Sequence, residues 1–218
     1  MSFVKVQNIV KKYGRSTILN SVNFSLEQGE QCVIKGASGS GKSTLLYLLG
    51  GLEKSNGGSI VVNGVNIGAL NDDELAKFRN TEVGFVFQFH FLLSSLNCLE
   101  NTLLPARLGD HNIAEVKKYV MHLAKRLGVE DCLKKYPYEI SGGQQQRINL
   151  IRALSLKPSL LLCDEPTGNL DSKNSKLATE LLIELSTNSG VTLLVVTHDD
   201  YVSSVFTNVK HMADGVLQ

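Results

Sequence analysis

The feature that most restricts this chain is one run, Gly36-Ala37-Ser38-Gly39-Ser40-Gly41-Lys42-Ser43-Thr44, which fits the spacing G-x-x-x-x-G-K-[S/T] in full. Glycines at this spacing let successive backbone N–H groups turn inward around phosphate oxygens, and a helix starting there adds its positive dipole end. Lys42 is long enough to reach the β- and γ-phosphates, and the Ser43 hydroxyl can ligate Mg²⁺. The flanks agree. Gln31-Cys32-Val33-Ile34 is a short buried-type strand, and Leu45, Leu46, Leu48 and Leu49 continue as a helix. A tight strand-to-helix turn capped by Ser40 would need the glycines but not Lys-Ser-Thr. The loop therefore predicts a site for Mg²⁺ and a nucleoside triphosphate.

The rest of the chain supplies a frame for such a loop. In the first thirty residues Phe3, Val4, Val6 and Ile9, then Ile18, Leu19, Val22, Phe24 and Leu26, read as antiparallel strands with turns at Tyr13-Gly14 and Gln28-Gly29. Another β pair is expected from Ser59 to Ile67 around Asn63-Gly64. A short helix over Asn71 to Asn80, opened by Asp72 and Asp73, should precede a strand at Val83 to Phe87. Ile113, Val116, Val120, Leu123, Ala124 and Leu127 then recur at helical spacing until Gly128, so residues 89–157 read as a mostly helical insert. Alternation returns with a strand at Leu160 to Cys163, a helix at Ser172 to Ser186 and a strand at Leu193 to Val196. Leu177, Leu181, Leu182 and Leu185 form the stripe expected to pack that helix on the sheet. The fold class is α/β: a P-loop NTPase core with a mostly parallel sheet, an N-terminal antiparallel β subdomain and an inserted helical subdomain. Residues 1–218 form one domain, with 1–88 and 158–218 as the catalytic core and its β subdomain and 89–157 as the helical subdomain.

Two further motifs carry chemistry. Leu160-Leu161-Leu162-Cys163-Asp164-Glu165 is an apolar strand ending in paired acids, at the strand end where open α/β sheets place ligands. Asp164 would hold Mg²⁺ through water opposite Ser43, while Glu165 points the other way and polarises the attacking water. Ser141-Gly142-Gly143-Gln144 precedes a helix running from Gln145 to Leu156. S-x-x-Q is also a capping box, which accounts for Ser141 and Gln144. The paired glycines cost backbone entropy, yet let a ligand approach the N–H groups of a helix N-terminus. One triphosphate then has two places on one chain, resolved if each ATP lies between the loop of one copy and the Ser-Gly-Gly helix of another.

With these motifs in place the chain resembles the nucleotide-binding subunits of ATP-binding-cassette (ABC) transporters over nearly its whole length. Ile140-Ser141-Gly142-Gly143-Gln144 matches the family signature, with Ile where Leu is usual. The resemblance implies that Tyr13 stacks on adenine and that Gly36, Ser38, Gly39, Ser40, Gly41, Lys42, Ser43 and Thr44 hold the phosphates. It makes Gln88 the glutamine that senses Mg²⁺ and the transporter partner, Gly168-Asn169-Leu170-Asp171 the D-loop and His198 the switch histidine at the γ-phosphate. Catalysis would fall to Glu165, His198, Lys42 and Gln88, with Mg²⁺ held by Ser43, Gln88 and Asp164. Ser141, Gly143 and Gln144 would reach ATP from the opposite copy. The implied partners are a second ATPase subunit and integral membrane permease subunits, at the cytoplasmic face of the inner membrane. Pro166-Thr167-Gly168-Asn169-Leu170-Asp171 is similar to the branch of lipoprotein-release, macrolide/peptide-export and cell-division ATPases. Gln88-Phe89-His90-Phe91-Leu92-Leu93 with Leu99-Glu100-Asn101 is most similar to its lipoprotein-release members.

Composition narrows the alternatives. With 22 basic and 21 acidic side chains the net charge is +1, so no global field holds nucleic acid. The interval between loop and signature is too short for the long coiled coil of chromosome-maintenance relatives, and one cassette differs from the usual two of ribosome-acting ones. No window approaches 18 uninterrupted apolar residues, and the N-terminal stretch lacks the pattern of a signal peptide. A role at a membrane needs another chain. The four cysteines, Cys32, Cys98, Cys132 and Cys163, are widely spaced and read as buried reduced thiols. His90, His111, His122 and His211 have no partner spacing and are expected to be structural; Phe85, Phe87, Phe89 and Phe91 are expected to divide between core and a partner-facing surface.

Overall fold

The computed structural model describes residues 2–168 and 170–218, with the backbone alone at Lys173. Its element order is β1 (Val4–Tyr13), β2 (Ser16–Leu26), β3 (Gln31–Lys35), α1 (Lys42–Leu49), β4 (Gly57–Val62), β5 (Val65–Asn66), α2 (Asp72–Glu82), β6 (Val83–Val86), α3 (Cys98–Leu108), α4 (Ile113–Arg126), α5 (Gly142–Leu154), β7 (Leu160–Asp164), α6 (Ser172–Ser189), β8 (Thr192–Thr197), α7 (Asp200–Ser204), β9 (Asn208–Ala213) and β10 (Val216–Leu217). Two sheets result, one of order β2-β1-β4-β5 and one of order β10-β9-β3-β8-β7-β6. The first is antiparallel throughout; in the second every pair but β9/β10 is parallel.

The interior positions of the central strands are apolar because both faces of their sheet are covered. Alternation still sorts their side chains. Cys32 and Ile34 of β3, Leu160 and Leu162 of β7, and Leu194 and Val196 of β8 join α1 and the antiparallel sheet in one core. Val33, Leu161, Cys163, Leu193 and Val195 face the opposite core, with Ile148, Ile151 and Leu154 of α5 and Leu182 and Leu185 of α6. Each fully buried leucine contributes about 1.5–3 kcal/mol. That packing fixes the register, which sets Ile34 and Asp164 both opposite Val196 and Lys35 opposite Thr197. The C-terminal ends of β3, β7 and β8 therefore meet at one edge, where this class of sheet puts its ligand site.

Several expectations need adjustment. α2 is opened by Asn71, which forms a capping box with Glu74, so Asp72 and Asp73 sit inside the first turn. The strand expected to reach Phe87 ends at Val86. Leu177 is 43% exposed, whereas Leu182 and Leu185 are buried with α5 and the central strands, so only the later part of the stripe reaches that core. α7, β9 and β10 were not anticipated, since only Met212 is buried along β9 and no apolar alternation marks it. The Asn63-Gly64 turn is as expected, with φ of 49° and 77°. The four cysteines are all free and buried.

Candidate functional site

The phosphate loop is held in shape by what lies behind it. A Cβ at Gly36 would sit 2.2 Å from the carbonyl oxygen of Met212 on β9, and one at Gly41 would sit 2.8 Å from Leu19. Gly41 also takes φ 103° as the residue before α1 and offers no side-chain cap. Ser40, the alternative cap, does not serve: its hydroxyl is buried and has no hydrogen-bond partner. Lys42, 6% exposed, lies across the loop and donates from Nζ to the carbonyls of Gly36 at 2.8 Å and Ala37 at 2.9 Å. A buried ammonium hydrogen-bonded to carbonyls of a turned loop, with its nearest carboxylate, Glu165, 4.0 Å away, is a charge placed for an anion.

A cleft of about 630 Å³ opens over this loop. Its walls include Tyr13, Ser38, Gly39, Gly41, Lys42, Ser43 and Thr44, with Gln88, Glu165 and His198 from the ends of β6, β7 and β8. Ser43 Oγ donates to Asp164 Oδ1 at 2.8 Å. Among the described residues no three His, Cys, Asp or Glu side chains cluster as a metal cage. One carboxylate, one hydroxyl and one amide oxygen suit Mg²⁺, which keeps waters and takes its remaining ligands from phosphate. The buried Lys42 ammonium at the cleft wall and this all-oxygen donor set fit a Mg²⁺-triphosphate, while Gly36 and Ser40 lie behind the loop, outside the cleft lining.

Glu165 departs from the strand sharply. Its φ is 44°, a left-handed conformation that costs a non-glycine residue about 1–3 kcal/mol and gathers at functional sites. The turn sends its carboxylate away from Asp164, as the paired-acid argument requires. One oxygen accepts from Thr197 Oγ1 at 2.8 Å and from the His198 N–H at 3.3 Å; the other lies 2.8 Å from His198 Nδ1 and 4.0 Å from Lys42 Nζ. Tyr13, 47% exposed, donates to Glu53, which pairs with Lys11 at 2.8 Å. That bond to Glu53, then burial, raises the Tyr13 phenol above its ordinary pKa.

Ser141, Gly143 and Gln144 are not in this cleft. The capping box is real: Gln144 N–H donates to Ser141 Oγ at 3.3 Å and Ser141 N–H to Gln144 Oε1 at 2.9 Å. Yet packing does not ask for the glycines. A Cβ at Gly142 would meet nothing within 4 Å, and one at Gly143 only Asn174 at 3.5 Å. Of the D-loop, Asn169 lies outside the described residues. His90 and His111 face neutral amides, Gln145 at 3.3 Å and Asn80 at 2.7 Å, as expected of structural histidines. Tyr47, Thr197, Glu53 and Lys11 were missed. Tyr47, four residues after Ser43 on one helix, had a signal in its spacing; Glu53 and Lys11 had none.

The loop, the paired acids and the capped glycine helix are one family's parts, and the chain belongs to that family, the ABC transporters, whose model matches residues 19–168. It is an ATP-binding, ATP-hydrolysing cassette. It is 43% identical over 205 residues to the lipoprotein-releasing system ATP-binding protein LolD of Bdellovibrio bacteriovorus, covering 94% of this chain and 93% of that one. Among solved structures it is similar to the ABC transporter cassette MJ0796 in its dimeric form, with a TM-score of 0.89, 37% identity and coverage of 99% of this chain and 96% of that one. The dimeric post-hydrolysis state of MJ0796 bound to ADP and Pi gives a TM-score of 0.88 at the same identity and coverage.

Proposed function

We propose that this chain drives a lipoprotein-releasing transporter by closing around two Mg²⁺-ATP as a dimer. Supporting it above all is the division of the site: the cleft carries the loop, Gln88, Glu165 and His198, with Asp164 bonded to Ser43 in its wall, while the Ser141-Gly142-Gly143 tip stands apart with open space over its glycines. A second copy supplies Ser141, Gly143 and Gln144 to the cleft of the first. Tyr13 stacks on the base; Gly36 to Thr44 cradle the phosphates; Ser43, Asp164 and Gln88 hold the cation. When bound, Mg²⁺ offsets charge on the phosphate oxygens. Glu165 accepts a proton from the attacking water, Lys42 and His198 steady the γ-phosphate, and charge stabilisation contributes most of the rate.

Residues 89–157 act as the lobe that carries the signature. Next to Gln88 lies a face rich in exposed apolar side chains, with Phe89 60%, Phe91 62% and Leu108 77% exposed. A groove of about 520 Å³ runs beside it, lined in part by Phe87, Phe91, Leu104 and Leu108. Such a face suits a permease subunit. Among the described residues no helix is long and apolar enough to cross a membrane, so we place the chain peripherally, at the cytoplasmic face of the inner membrane. The test is co-purification from detergent-solubilised membranes. An integral partner with a large periplasmic domain is expected; recovery of cell-division proteins instead would overturn the release function.

A further inference from the structure

Asp164 is 6% exposed, and both of its carboxylate oxygens are engaged. Oδ1 accepts from Ser43, and Oδ2 accepts from the Tyr47 hydroxyl at 2.9 Å. Tyr47 follows Ser43 by one helical turn, so α1 presents both to the same carboxylate. The ring is fixed in turn. It packs on the first core and meets Phe87 at 6.3 Å between centroids, tilted by 56°.

We infer that Tyr47 is a positioning residue for the divalent cation, holding one oxygen of Asp164 so that the other stays aimed beside Ser43. The inference rests on the reading of Asp164 and Ser43 as Mg²⁺ ligands. A carboxylate turns freely about its last bond, while Mg²⁺ tolerates little departure from octahedral geometry. Ser43 would ligate the cation and Asp164 would hold it through water; the Tyr47 hydroxyl anchors that carboxylate from behind, on a ring that packing keeps in place. Outer partners of this kind affect metal affinity by roughly 10- to 100-fold.

Tyr47→Phe removes one oxygen and keeps the ring on Phe87. A fluorescent, non-hydrolysable ATP analogue is titrated into wild type and Y47F, first in EDTA and then at rising Mg²⁺. In EDTA the two proteins should bind alike. The Mg²⁺ concentration giving half of the tightening should rise roughly tenfold in Y47F. An unchanged Mg²⁺ midpoint would overturn the inference, and so would an equal loss in EDTA and in Mg²⁺, which marks a packing residue. In an Asp164→Asn background Y47F should move the midpoint no further; an additive shift also overturns it. Wild type with no Mg²⁺-dependent tightening would remove the metal reading itself, and this inference with it.

Discussion

Replacing Glu165 by glutamine separates its charge from its shape. The carboxylate accepts from Thr197 Oγ1 at 2.8 Å and from the His198 N–H at 3.3 Å through one oxygen, and faces His198 Nδ1 at 2.8 Å through the other. A glutamine amide keeps an oxygen for the first two partners. Its NH₂ can donate to Nδ1 when the imidazole carries its proton on Nε2. The left-handed φ of 44° costs glutamine what it costs glutamate. Stability should therefore change by no more than about 1 kcal/mol. What disappears is a base beside the cleft, 13% exposed and 4.0 Å from Lys42. Positioned bases contribute roughly 10²- to 10⁴-fold, or about 3–5.5 kcal/mol of barrier. Phosphate release should fall by that factor while nucleotide affinity holds, and E165Q should accumulate as a dimer in Mg²⁺-ATP by light scattering. Unimpaired turnover without a dimer would refute the role given to Glu165.

Two further outcomes follow from the surroundings of the site. Glu53→Ala frees the Tyr13 hydroxyl and leaves Lys11, whose Nζ lies 4.8 Å over the Tyr13 ring, without its 2.8 Å ion pair. If the ring stacks on the base, its looser hold should cost about 1 kcal/mol of nucleotide affinity, roughly fivefold, with kcat little changed in a titration at saturating Mg²⁺; equal affinity would exclude the stack. Burial pushes the Cys32 thiol up to about 12 and Cys98 to about 11, and raises Cys132 and Cys163 as well. A thiol reagent at pH 8 should thus label the native protein slowly and the denatured one at all four sites. Because ionisation is harder in the fold, the linked stability is constant below the unfolded thiol value of about 8.5 and declines as pH rises toward the folded values. Rapid native labelling would contradict that burial.

How far the sequence reached depended on distance along the chain. The strand, loop and helix around Lys42, the turn at Asn63-Gly64 and the cap at Ser141 are set by neighbouring residues, and each reads directly. Asp164 and Glu165 end an apolar run, so their position was legible; that they part company was predicted, but the φ of Glu165 and its bond to Thr197 were not. The wall behind Gly36 is Met212, 176 residues further on, in a strand with no apolar alternation. Leu177 shows the opposite error: helical spacing tells which side of α6 is apolar, not which of its turns the core covers.

In the proposed dimer, ATP is hydrolysed only where the loop of one copy meets the Ser141 tip of another. ATPase rate per molecule, followed across a wide dilution series for wild type and Ser141→Arg, tests it most directly. The rate should fall on dilution in the wild type, and S141R should be inactive at every concentration although its own loop still binds nucleotide. A rate per molecule that is independent of concentration, and retained in S141R, would mean that a single chain completes the site alone.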